Sequence, residues 1–303
     1  MKLQFDLNNV TATEFGVGRD DGNGQTYVAV PVDADVQNAL RGIVTTTWDQ
    51  IQKDGDEPAM YEPSEKHATT EYLYIPLNND LAASVRELHQ ATNLHLDGNA
   101  LADSADVFCY FARLTDEKGR HLTALRRATQ FKGILKSRGR LIKLVDDTLK
   151  IVADQVFKLD SDFDLVIDST NVHILRPSGF EFAGKLQEAV LAAVPQNITA
   201  IQKDLAFVNF STIQDYAGKH PRAARYLASI LSRKEAKKID KAALRKLCKR
   251  TFVDVTESDG KILVDEGHEM GFLEVLDRRR YQLELVKGSP ERFRAASRQK
   301  IED

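Results

Sequence analysis

Cysteine is nearly absent from this 303-residue sequence: Cys109 and Cys248 are the only two. A disulfide framework is thereby excluded, and the pair reads as buried, reduced thiols of a protein kept in a reducing compartment. Long apolar runs are missing too. The longest obvious ones, such as Ala189–Val194, fall far short of the ~20 residues that span a bilayer. The opening Met1-Lys2-Leu3-Gln4-Phe5-Asp6 lacks the apolar core and small-residue cleavage site of a signal peptide. The expectation is a cytoplasmic chain that meets a membrane only through a partner. His67, His89, His95, His121, His173, His220 and His268 form no His-x-x-x-His pair, and no Cys-x-x-Cys occurs, so no zinc site is expected. Gly16, Gly18, Gly22 and Gly24 precede a strand-like run instead of opening a helix, and no Gly-Lys-Ser/Thr follows. They read as a β-turn, not a phosphate cradle. Serine and cysteine nucleophile motifs are missing as well, so no catalytic residue, cofactor or metal is expected.

Apolar residues are present in quantity. A hydrophobic fraction of 42% supports a packed core, and the length suits roughly two domains. The net charge of −3 conceals a split. Residues 1–110 hold 6 Lys/Arg against 18 Asp/Glu, a balance of −12, and the remainder holds 36 against 27, a balance of +9. Such asymmetry points to charged partners that the near-neutral total would not suggest.

The periodicities divide the chain in the same way. Gln25–Val30 and Glu71–Ile75 are short β-prone runs, and between them Asp33–Ile51 carries apolar residues at helical spacing, through Leu40, Val44 and Trp48. A second helix is expected over Asn79–Gln90. From Val107 to Leu175, short β-branched runs punctuated by Asp146-Asp147, Asp160-Ser161-Asp162 and Ser169-Thr170-Asn171 predict an antiparallel meander. After Ser178 the pattern is helical, interrupted by a hairpin that turns at Ser258-Asp259-Gly260. Arg280–Val286 reads as a last strand and Pro290–Ile301 as a polar helix or frayed tail. The expected fold is α+β: an acidic N-terminal αβ domain over 1–104, then a basic domain over 105–303 with a central antiparallel β-meander and a helical C-terminal region.

Three stretches carry the positive excess. Arg113–Lys143 has ten basic residues against two acids, Lys219–Arg250 twelve against two, and Arg278–Lys300 eight against two. Cations at this density neutralise phosphates and release counterions, the main source of sequence-independent nucleic-acid affinity. Over Arg233–Arg250, helical spacing places Lys234, Lys238, Lys241, Arg245 and Lys249 on one stripe, with Ala236, Ile239, Ala243 and Leu247 nearly opposite. Ser232 with Glu235 forms a capping box for this helix. Asp240 is the competing cap, and a helix begun there keeps only Lys241, Arg245 and Lys249 in the stripe. The stretch Arg126–Arg140 adds Arg126, Arg127, Lys132, Lys136, Arg138 and Arg140, with Phe131 among the cations and Gly139 suited to a hairpin tip. These are backbone-gripping residue types, and nothing in them specifies a base.

The densest carboxylates are Asp160, Asp162, Asp164 and Asp168. On a strand, Asp162, Asp164 and Asp168 share a face, and clustered carboxylates can hold Mg²⁺ for phosphodiester cleavage. The Glu-x-Lys of a restriction-type nuclease is not matched, because four positions separate Glu181 from Lys185. Two alternatives to a DNA-binding role therefore stay open: a metal-dependent nuclease using these aspartates, and a protein scaffold assembled through its basic faces.

The runs Leu125-Arg-Arg-Ala-Thr-Gln-Phe-Lys132, Phe157-Lys-Leu-Asp-Ser-Asp-Phe-Asp164, Val172-His-Ile-Leu175 and Phe180-Glu-Phe182 resemble the KwaB-like family of the Kiwa anti-phage defence system, over about residues 105–290. The resemblance implies a non-enzymatic, homodimeric, DNA-binding subunit. It would act beside a membrane-spanning partner, KwaA, at the inner face of the membrane. It carries over no catalytic motif.

Overall fold

A computed structural model describes residues 3–22, 24–52, 58–67, 71–92, 94–101, 106–128, 142–145, 148–151, 159–233 and 235–296. The chain forms two compact units: Met1–Met60 with Thr69–Lys185, and Tyr61–Ala68 with Leu186–Asp303.

The first unit is built on a sheet with nine strands among the described residues. They are β1 (Val10–Asp20), β2 (Gln25–Val30), β3 (Ala59–Met60), β4 (Leu73–Pro76), β5 (His95–Leu96), β6 (Val107–Asp116), β7 (His121–Arg127), β10 (Leu165–Ile167) and β11 (Asn171–Ile174). Between β7 and β10, β8 (Ile142–Val145) and β9 (Thr148–Ile151) pair as a separate hairpin. The sheet order is β3-β4-β11-β10-β7-β6-β1-β2-β5. Its middle is antiparallel throughout, and the short outer pairs β2–β5 and β3–β4 are parallel. The boundary expected at residue 104/105 falls between two strands of this one sheet.

Helix α1 (Ala34–Gln52) buries Leu40, Val44, Thr47, Trp48 and Ile51, the i, i+4, i+7 stripe of a helix that covers a sheet. It shares a core with Phe15, Val17, Tyr110, Ala112, Leu114 and Val166. Alternate residues of β6 point the other way. There Arg113, almost fully buried, donates to the carbonyl oxygens of Leu88 and Ala91 at the end of α2 (Ala83–Gln90). Asn79 caps the 3-10 turn that precedes α2, accepting from the Leu81 N–H at 2.9 Å.

Strand β1 departs from the expectation of a turn at Gly16 and Gly18. Both glycines lie inside the strand, opposite Phe111 and Cys109 of β6. A Cβ at Gly16 would stand 2.2 Å from the Phe111 ring, and one at Gly18 2.5 Å from the Cys109 sulfur. Glycine is needed because a neighbouring side chain already fills its position. Of the four, Gly22 takes a turn conformation, with φ +88° at the tip of the β1–β2 hairpin.

His89 on α2 is buried and lies 3.1 Å from Thr123 Oγ1. Burial, with the nearby Arg113 charge, pushes its pKa down to about 4. The folded state keeps His89 neutral, whereas an unfolded histidine takes up a proton near 6.5. Between these values the unfolded chain binds more protons, so stability rises with pH through the window and falls on acidification. Lowering the pH from 7 to 5 should remove about 2 kcal/mol through this one group. Urea unfolding at both pH values checks this, and His89→Gln should show the smaller pH-dependent loss.

The second unit gathers helices around α7 (Pro221–Ser232), which buries Ala223, Ala224, Tyr226, Leu227 and Ile230. Before it come α3 (Pro177–Ala183), the last helix of the first unit, and then α4 (Leu186–Ala192), α5 (Val194–Asp204) and α6 (Ser211–Ala217); after it come α8 (Lys241–Arg250) and α9 (Glu269–Leu276). Helices α4, α5, α6 and α9 all pack on α7. Two hairpins complete the unit: β12–β13 (Val255–Ser258 and Lys261–Val264) and β14–β15 (Arg280–Val286 and Ser289–Arg294). The last corrects the expectation of a polar helix or tail after Pro290. Ser289–Arg294 form a strand whose Phe293 stacks on Tyr281 at 5.7 Å, and residues 297–301 lie outside the described residues.

Candidate nucleic-acid interface

The basic helix begins at Asp240. Its carboxylate accepts from the Ala243 N–H at 2.8 Å, which satisfies a backbone donor at the helix start. The capping box at Ser232 and Glu235 does not form. Ser232 ends α7 with its hydroxyl on the Ser229 carbonyl, and Glu235 pairs with Arg278. The chain then makes a 3-10 turn, Ala236–Lys238, and passes through extended backbone at Ile239 and Asp240 before α8 starts. Of the two caps the sequence offered, the shorter helix is the one built. Lys238 stands outside α8, and Lys234 lies outside the described residues.

Lys241 and Arg245, one turn apart, converge on Glu257 of β12, at 2.5 and 2.7 Å. The Lys241 ammonium, with Arg245, holds the Glu257 carboxyl below its usual pKa. Lys241 also donates to the Gly260 carbonyl at the hairpin turn. Lys238, Lys246, Lys249 and Arg250 are exposed. Leu244 and Cys248 face inward, and burial pushes the Cys248 thiol up to about 12. The helix therefore docks through an apolar edge and turns its cations to water.

Arg126 and Arg127 have different surroundings. The Arg126 guanidinium sits within 3.3 Å of Asp160, 2.7 Å of Asp162 and 3.2 Å of Asp164. Arg176 approaches Asp162 at 2.8 Å. Burial acts to raise the pKa of Asp162, but the Arg176 and Arg126 charges outweigh it and the net shift is downward. At Asp164 burial dominates and the net shift is upward. Arg127 lies over the Phe182 ring at 4.0 Å, and its backbone N–H donates to Asp164 at 2.8 Å. Lys132, Lys136, Arg138 and Arg140 lie outside the described residues.

The aspartates proposed as metal ligands are thus divided. Asp162 and Asp164 surround guanidinium groups. Asp168 closes the β10–β11 turn, accepting from the Thr170 and Asn171 N–H groups at 2.8 Å and from the Gln4 N–H at 3.0 Å. His173 Nε2 lies 3.2 Å from it, and Tyr72 Oη lies 2.9 Å from the other ring nitrogen. Burial acts to raise the pKa of Asp168, yet these donors hold it well below the carboxylate range. Among the described residues, no group of three His, Cys, Asp or Glu is arranged to hold a metal ion. Lys185, read against Glu181 in the nuclease comparison, pairs instead with Asp20 at 2.8 Å.

Arg279 also contradicts a simple charge count. It is fully buried, gripped by Asp277, Glu65, Ser64 and the Ala296 carbonyl. The run Arg278-Arg279-Arg280 adds three charges to the basic tally, but the middle one faces inward.

Fold and site together define a mixed α+β protein that presents cations on a short capped helix beside a β-hairpin. No helix among the described residues is long and apolar enough to cross a membrane. A family model described as Kiwa protein KwaB-like matches residues 105–285. The chain belongs to this family, and with it to the components of the Kiwa anti-phage defence system, which has more than one subunit. No curated protein and no solved structure matches it.

Proposed function

We propose that the chain is a non-enzymatic, DNA-binding effector subunit of this defence system. It acts as a cytoplasmic homodimer that the membrane-spanning subunit KwaA recruits to the inner face of the membrane. The observation that carries the reading is the row of exposed cations at Lys238, Lys246, Lys249 and Arg250, flanking Lys241 and Arg245 with Glu257 as their shared carboxylate. Such a surface fits the phosphate backbone and carries no base-reading constellation. The nuclease alternative loses support because Asp162 and Asp164 already neutralise Arg126 and Arg176. Plasmid DNA incubated with the protein and Mg²⁺ or Mn²⁺ should stay intact, and its cleavage would overturn the non-enzymatic reading.

Glu257 competes with phosphate for Lys241 and Arg245. Glu257→Gln should therefore strengthen duplex binding several-fold and steepen its salt dependence. Fluorescence anisotropy with a labelled duplex measures both. Weaker binding by Glu257→Gln would place the DNA elsewhere.

A further inference from the structure

A second cationic feature lies within the second unit, where the segment 63–66 meets the start of α7. Between them lies an open cleft of about 380 Å³ lined by Ser64, Lys66, Arg222 and Arg225, with Pro63 and Pro221 in its walls. We infer that this cleft binds a small phosphate monoester, up to a nucleoside monophosphate in size.

The charge balance favours a dianion. Lys66 and Arg222 line the cleft with no carboxylate partner among the described residues, and the cleft's one carboxylate, Glu65, is held by buried Arg279 at 2.7 Å. The Arg222 guanidinium donates to a neutral group, the Tyr226 hydroxyl, at 3.1 Å. Lys66 is exposed, and no carboxylate pairs with it among the described residues. Helix α7 begins at the cleft with Pro221 and has no side-chain cap, so its positive end adds to the field. The walls are also fixed in advance. Arg279 bonds Ser64, Glu65 and the Ala296 carbonyl, and Arg225 donates to the Pro63 carbonyl at 3.3 Å. A preformed site avoids the ordering cost that weakens small-ligand binding. The volume lies at the lower end of the range for small-molecule pockets, which fits a mononucleotide.

Isothermal titration calorimetry on the full chain, with AMP and adenosine as probes, tests the inference. AMP should bind in the micromolar range and adenosine at least tenfold more weakly, because the phosphate supplies the recognised charge. Lys66→Ala with Arg222→Ala should weaken AMP at least tenfold without moving the urea midpoint, since both side chains are exposed. A 5′-phosphorylated oligonucleotide and its 5′-hydroxyl counterpart should both fail to displace AMP. Displacement by the phosphorylated strand alone would overturn the assignment to a free ligand. No binding of AMP at about 1 mM, or equal affinity in the double variant, would overturn the site itself. The inference does not rest on duplex binding by α8: reversing the α8 charges should leave AMP affinity unchanged.

Discussion

Replacing Arg126 by methionine should destabilise the protein by about 3–5 kcal/mol, the range for removing one member of a buried ion-pair network. Methionine keeps the length of the side chain and removes the charge. Arg126 is the group on which Asp160, Asp162 and Asp164 converge, and these carboxylates are mostly hidden from water. Arg176 would remain on Asp162 and Asp164, while Asp160 would keep the Tyr110 hydroxyl at 3.0 Å. The loss should shrink in acid, with its sign set by the two shifted groups. Asp162, held below its ordinary value, stabilises the fold above that value and loses the contribution as pH falls. Asp164, raised by burial, protonates first and so relieves part of the uncompensated charge. Urea midpoints at neutral pH and near pH 3 should show the wild type and Arg126→Met converging in acid. An unchanged midpoint at neutral pH would instead free Arg126 for the phosphate-binding role that its sequence context suggests.

Reversing Lys238, Lys241 and Arg245 to glutamate should weaken duplex binding at least about a hundredfold near physiological salt. Each reversal removes an attraction to phosphate and adds a repulsion, and Glu257 loses both of its partners. The fold should tolerate the change, because Lys238 and Arg245 are exposed, Lys241 is half-buried, and surface ion pairs such as those to Glu257 are each worth about 1 kcal/mol or less. A circular dichroism spectrum matching the wild type, with duplex affinity also unchanged, would remove this surface from the interface.

How far the sequence discloses this architecture depends on which forces fix each part. The alternation over Val107–Leu114 and Leu122–Thr129 and the helical stripe through Leu40, Val44 and Trp48 are local signals, and the corresponding elements form nearly where expected. Asp240 is a local signal as well, since a capping aspartate needs only its own next turn. Strand β1 escaped because Gly16 and Gly18 are set by what lies across the sheet, Phe111 and Cys109. Strand β15, fully exposed and carrying Pro290, has no buried face to produce an alternation. Among the site residues, Lys241, Arg245 and Lys249 follow from the periodicity of a helix begun at Asp240, whereas exposed Lys246 and Arg250 lie off that stripe. The inward roles of Arg126 and Arg279 do not follow from periodicity, because a charge count cannot tell which carboxylates will reach a guanidinium from distant segments. The cleft is similarly hidden: Lys66 and Arg222 are far apart in the chain and meet only in the folded unit.

The most direct test of the DNA-binding reading compares the salt dependence of duplex affinity in two proteins, the wild type and the Lys238, Lys241 and Arg245 charge-reversal variant. Each phosphate contact contributes about 0.9 to the slope of log K against log salt. The variant's slope should therefore be shallower than the wild type's by about 2–3. Equal slopes in two equally folded proteins would contradict the account and place the phosphates on another surface.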